Sequence, residues 1–149
     1  MGAEAKLVEL KIQLPAAPAA KPYLNMASRV GDVFYASGHV SDMKGKVGGG
    51  LSVEDGKAAA REACIKMLAS VRQAAGTLDH LRVVRVLGMV NSTPDFIEQH
   101  LVINGCSDLL HDIFGRDDLG YHARSAVGFV SLPTGVAVEI EGIFAIDRK

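Results

Sequence analysis

The chain of 149 residues has the length of one domain, is 48% hydrophobic, and sets 16 basic against 17 acidic side chains for a net charge of −1. That balance excludes an intrinsically disordered chain, and the lack of any concentrated basic block excludes an electrostatic grip on nucleic acid. No window is long and apolar enough to predict a membrane span, and the N-terminus lacks the pattern of a secretory signal, so a cytoplasmic protein is expected.

Residues 1–22, with "LPAAPAAKP", predict an irregular arm lying extended on the surface, and residues 23–149 a single domain. "YLNMASRV" and "VFYASGHV" flank Gly31-Asp32, the pattern of a hairpin turn. "DMKGKVGGG" is a loop whose spacing does not fit a phosphate-binding loop. Ser52-Val53-Glu54-Asp55 predicts a capped helix start; Ala60, Cys64, Met67, Leu68, Val71 and Ala75 recur at helical spacing, and Gly76 ends the run. "RVVRVLGMVNS" predicts a strand ended by Thr93-Pro94. A second helix runs to about Phe114 with Ile103, Cys106, Leu109, Leu110 and Ile113 on its apolar face and Gly115 as its stop. After the loop "GRDDLGYH" come two strands joined by Leu132-Pro133-Thr134-Gly135.

The order β-β-α-β-α-β-β predicts an α+β fold, one mixed sheet with both helices packed on one face. The other sheet face is then either solvated or covered by another subunit. In the last strand, alternation puts Val138, Ile140, Phe144 and Ile146 on the helix side, and Glu139, Glu141, Ile143 and Ala145 on the uncovered side. In the strand at 33–40, Val33, Tyr35, Ser37 and His39 share a face. In the strand beginning near Arg124, that residue shares its face with Ala126 and Gly128. For these two strands the sequence leaves open which face meets the helices. Carboxylates among apolar residues suit a subunit interface better than water, provided they are paired, and Arg124 is the nearest basic candidate. Cys64 and Cys106 fall on apolar helix faces and read as buried reduced thiols. His80, His100 and His111 lack metal-ligand spacing, so no metal site is expected. His39 and His122 titrate near neutrality but have no partner in the sequence; each reads as an ordinary strand or loop histidine.

"HARSAVGFVSLPTGVAVEIEGIFAI" resembles the closing signature of the RidA (YjgF, liver perchloric-acid-soluble protein) family. "KPY", "VFYASGHV" and "VNSTPDF" resemble earlier stretches of the same family. The resemblance implies a chorismate-mutase-like fold and a homotrimer with clefts between subunits. It implies cofactor-free hydrolysis of reactive 2-imino or enamino acids to 2-keto acids and ammonia. By the same resemblance, Arg124 matches the arginine that holds the substrate carboxylate. Tyr23, Ser37 and Asn104 match cleft-lining positions, and Glu139 matches the glutamate that closes the site and orients water. His39, His122 and Ala126 depart from the family pattern, and the segment from Phe96 to Gly115 is longer than usual. A guanidinium fork matches a carboxylate whether or not chemistry follows. A non-catalytic binder of small carboxylates such as 2-keto acids, held at Arg124, therefore stays open, as does a purely structural ion pair of Arg124 with Glu139 or Glu141 across an interface. A ribonuclease or translation inhibitor, a label attached to some relatives, is disfavoured by the absence of a basic stripe and by 5% aromatic content.

Overall fold

A computed structural model describes residues 2–148. A five-stranded sheet is built from β1 (Ala27–Val30), β2 (Val33–Val40), β5 (Leu81–Asn91), β6 (Ala123–Phe129) and β7 (Val138–Ile146), in the order β1-β2-β7-β5-β6. Two short strands, β3 (Lys46–Val47) and β4 (Gly50–Leu51), pair beside it. The long helices α2 (Val53–Ala75) and α3 (Gln99–Phe114) lie on one face, α2 over β2 and β7, α3 over β5 and β6. Within the five-stranded sheet only β5 and β6 pair in parallel, so the sheet is mixed and the fold class is the one expected.

The local signals place the helices. Ser52 Oγ accepts from the Asp55 N–H at 3.1 Å, and Asp55 Oδ2 accepts from the Ser52 N–H at 2.8 Å, a complete capping box. Gly76 closes α2 in the left-handed conformation. Phe34, Met67, Leu68, Ile103, Leu109, Leu110, Ile140 and Phe144 form the buried layer between helices and sheet. Cys64 and Cys106 are both buried and unbridged. Burial is the largest of the causes that push the Cys64 thiol well above its ordinary pKa, which leaves it inert.

Two expectations, the first and fourth below, need correction, and two points the sequence left unstated, the second and third, are added. Residues 1–22 are not wholly irregular: α1 (Ala3–Glu9) packs on α3 and buries Ala3 and Leu7. No side chain caps its start, so the helix has no local signature. Tertiary bonds hold it: the Glu4 N–H donates to Asp79 Oδ1, and Glu4 Oε1 accepts from the Leu78 N–H. Second, α3 begins at Gln99, several residues after Thr93-Pro94. Third, the two strands around Pro133-Thr134-Gly135 are not neighbours, because β5 lies between them. Fourth, His39 does not share a face with Tyr35 and Ser37. The register of β2 on β7 shifts between Ala36 and His39, a bulge that turns His39 inward.

His39 is 3% exposed. Its Nδ1 lies 2.6 Å from the Ser37 carbonyl and its Nε2 lies 2.8 Å from Ser70 Oγ. A carbonyl only accepts, so Nδ1 carries the proton and Nε2 accepts from Ser70. Burial pushes its pKa below 6.5, the Ser37 carbonyl pulls it back up, and Lys66 pushes it further down. The folded state thus binds this proton less readily than the unfolded chain. Stability from this source is complete above 6.5 and is lost as pH falls from there toward the folded-state pKa. His39→Gln is expected to flatten the fall in urea midpoint between about pH 7.5 and about pH 5.5. An unchanged slope would remove His39 as the source.

Gly105 sets the crossing of α2 and α3. A Cβ there would sit 2.1 Å from the Lys57 carbonyl oxygen, which is backbone and has nowhere to move. Gly105→Ala is expected to destabilise the fold by about 2 kcal/mol in urea unfolding, by forcing the helices apart.

Candidate active site

The parallel edge strand β6 lays Arg124 beside Val86, which is buried under the helices, so Arg124 shares the helix side of the sheet. Its guanidinium reaches α3. Nη1 donates to Asn104 Oδ1 at 2.9 Å and to Ser107 Oγ at 3.1 Å, and Nη2 donates to the His100 carbonyl at 3.4 Å. Asn104 and Ser107 are three residues apart and present one face of α3 to the strand. These bonds use both Nη1 hydrogens and one on Nη2. Nε makes no hydrogen bond among the described residues. Nε–H and one Nη2–H remain, donors enough in number to meet both oxygens of a carboxylate.

Glu139 belongs to a different part of the chain. It lies on β7 beside Met89 of β5 and Val40 of β2. Met89 is three residues from Val86, so alternation sends Glu139 to the face away from the helices, as expected. Its carboxyl rests over Gly38 at the β2 bulge, where a Cβ would lie 1.9 Å from Oε1. Only glycine leaves room for the carboxylate in this position. Burial raises the pKa of Glu139 above 4.5, and repulsion from Glu141 raises it further. Ser37, in the same bulge, donates through Oγ to the Asn25 carbonyl at 2.6 Å. Tyr23 is 96% exposed in the segment just before Asn25.

The candidate residues thus fall into two groups. Arg124 and Asn104 sit together at the β6 edge on the helix side. Ser37 and Glu139 sit together at β2 and β7, on the far side of β5, and Tyr23 lies on that same N-terminal side of the molecule. Two strand spacings, about 10 Å, and the thickness of the sheet separate Arg124 from Glu139 within one chain. No ion pair joins Arg124 to Glu139 or Glu141 among the described residues. Sequence reasoning missed Ser107, the His100 carbonyl, Gly38 and the bond of His122 to Ser107. The spacing of Asn104 and Ser107 on one helix face was the available signal.

The sheet face that carries Glu139 and Glu141 also carries Tyr35, Leu87, Met89, Val127 and Ile143, none of them buried. Apolar side chains mixed with carboxylates on one open face have the composition of an interface.

Residues 4–137 match the family model described as "YjgF/chorismate_mutase-like, putative endoribonuclease". The chain is 40% identical over 153 residues to Protein TCP17 of Trypanosoma cruzi, covering 97% of this chain and 94% of that protein. A protein of unknown function from Agrobacterium tumefaciens has a crystal structure that matches with a TM-score of 0.86 at 37% identity, over 97% of this chain and 92% of that one. RidA from an Antarctic Psychrobacter matches with a TM-score of 0.60 at 25% identity, over 87% of this chain and 94% of that one. The signature residues, the sheet topology and the family match agree, and the chain belongs to the YjgF family.

Proposed function

We propose that this chain hydrolyses reactive 2-imino or enamino acids to 2-keto acids and ammonia, without a cofactor, in clefts between the subunits of a cytoplasmic homotrimer. The observation that carries this reading is the Arg124 guanidinium, tethered at one end by Asn104, Ser107 and the His100 carbonyl and left with a free carboxylate fork. The separation of Glu139 from Arg124 within one chain supports a cleft completed by a second copy.

In this reading Arg124 binds the substrate carboxylate and fixes C2 beside it. Glu139 of a neighbouring copy takes a proton from water as the water oxygen bonds to C2. The C=N π pair moves onto the nitrogen of the protonated imine, and a neutral carbinolamine results. Glu139 then passes its proton to the nitrogen, the C–N bond breaks with its electrons leaving on ammonia, the hydroxyl proton returns to Glu139 as the oxygen closes to the ketone, and that proton leaves with ammonia as ammonium. No electron is gained or lost overall. The raised pKa of Glu139 suits a group that must both take and return a proton. Ser37 and Tyr23 line the same half of the cleft.

The second reading is a binder of small 2-keto acids, favoured by the fork alone, which needs no base. The ribonuclease reading lacks support in charge, since a net charge of −1 offers phosphate little attraction. The deciding experiment generates 2-iminobutyrate and 2-iminopropionate in place with an amino-acid oxidase and follows their loss. Acceleration over the spontaneous rate is expected. Binding of 2-ketobutyrate with no acceleration would move the binder reading to first place.

A further inference from the structure

Behind Arg124 lies a second layer of hydrogen bonds. Ser107, 6% exposed, accepts from Arg124 Nη1 and lies 3.1 Å from His122 Nε2. The other ring nitrogen of His122, Nδ1, lies 2.6 Å from the Gly120 carbonyl. That carbonyl only accepts, so Nδ1 carries the proton and Nε2 presents a lone pair. Ser107 therefore donates its hydroxyl hydrogen to His122 and turns its oxygen lone pairs to Arg124. The bonds run one way, from Arg124 to Ser107 to His122 to the Gly120 carbonyl, and each polarises the next.

We propose that His122, acting through Ser107, is a positioning residue that fixes the Arg124 guanidinium while its ring is neutral and releases it when the ring gains a proton. The inference rests on the reading of Arg124 as the carboxylate anchor. Protonation puts an N–H where Nε2 had a lone pair, so the Ser107 hydroxyl loses its acceptor. Two cations, the imidazolium and Arg124, then crowd one oxygen.

The surroundings favour the neutral ring. Burial pushes the His122 pKa below 6.5; the Gly120 carbonyl opposes this, and His111 and Arg124 add to the lowering. Among the described residues, the charged or titratable groups that act on the ring are His111 from α3 and Arg124 from β6, the strand that begins just after His122. Arg116 in the preceding turn points instead toward Asp108 of α3, at 3.9 Å. The His111 ring stands 5.4 Å from His122, tilted 40°, and its Nδ1 is buried without a partner. It offers no carboxylate to stabilise a charge on His122. The gate therefore stays closed at neutral pH and opens in acid.

The test uses nitrogen-15 NMR of the full chain without ligand, then kinetics. In wild type the Arg124 Nη1 hydrogens are expected to be resolved near neutrality and to broaden away with the same midpoint at which His122 titrates. Ser107→Ala and His122→Phe lose these signals at every pH. His122→Gln keeps them at every pH, because its amide oxygen accepts from Ser107 and does not titrate. In turnover, Ser107→Ala and His122→Phe raise KM about 10-fold, kcat stays within about twofold, and His122→Gln restores KM. Arg124 signals that ignore His122 protonation in wild type overturn the proposal, and this arm needs no variant to fold. Unchanged KM in folded Ser107→Ala overturns it too. A wild type that turns over no imine sinks the deaminase reading and leaves the NMR result to judge the gate.

Discussion

Arg124→Ala is expected to lower kcat/KM for 2-imino acids by roughly 1,000-fold while leaving the urea midpoint nearly unchanged. Arg124 lies on an edge strand; buried Ser107 keeps its bond to His122, and water can replace the lost donor at Asn104 and at the His100 carbonyl, neither of which is buried. In the proposed mechanism the substrate has no such substitute, because there the fork binds two oxygens at once and sets the direction from which water meets C2. Arg124→Lys should recover no more than about tenfold, since an ammonium keeps the charge but not the paired donors. Full activity in the lysine variant would mean that charge alone anchors the substrate, and the saturation of Nη1 by Asn104 and Ser107 would lose its functional meaning.

Glu139→Gln is expected to reduce kcat by roughly 100-fold with a small change in KM, because the amide keeps the shape over Gly38 but cannot take the proton. The pH profile carries the stronger signature. Burial and then Glu141 raise the Glu139 pKa, so kcat should fall on the acid side at a higher pH than an ordinary carboxylate would give. Glu141→Gln removes the second cause and should move that limb down in pH without abolishing turnover. A limb that stays put in Glu141→Gln would assign it to another group.

Much of this was legible in the chain because the signals were local. Ser52 with Asp55, Gly76 and Gly115 marked helix ends by their own backbone and side-chain chemistry. Strict alternation in β7 put Glu139 and Glu141 on the open face correctly. What escaped was set by contacts distant in sequence. Helix α1 has seven residues and no cap, and exists because Asp79 and Glu4 bond across more than seventy positions. The bulge at Ser37-Gly38 breaks the parity rule and sends His39 into the core; Gly38 inside the strand was the one local hint of it. The parallel pairing of β6 with β5 turns Arg124 toward α3, and only that pairing explains why Ser107 and His122 matter. The resemblance supplied Arg124, Asn104 and Glu139 as parts of clefts between subunits, and within one chain the fold holds Arg124 and Asn104 apart from Glu139.

That division makes subunit complementation the most direct test. Arg124→Ala and Glu139→Gln chains, each inactive alone, are unfolded together in equal amounts and refolded. If each cleft takes its arginine from one copy and its glutamate from the next, about a quarter of the clefts in randomly assembled trimers contain both, and about a quarter of wild-type turnover should return. No recovery, with the mixed trimers shown to form, would contradict a site built between copies.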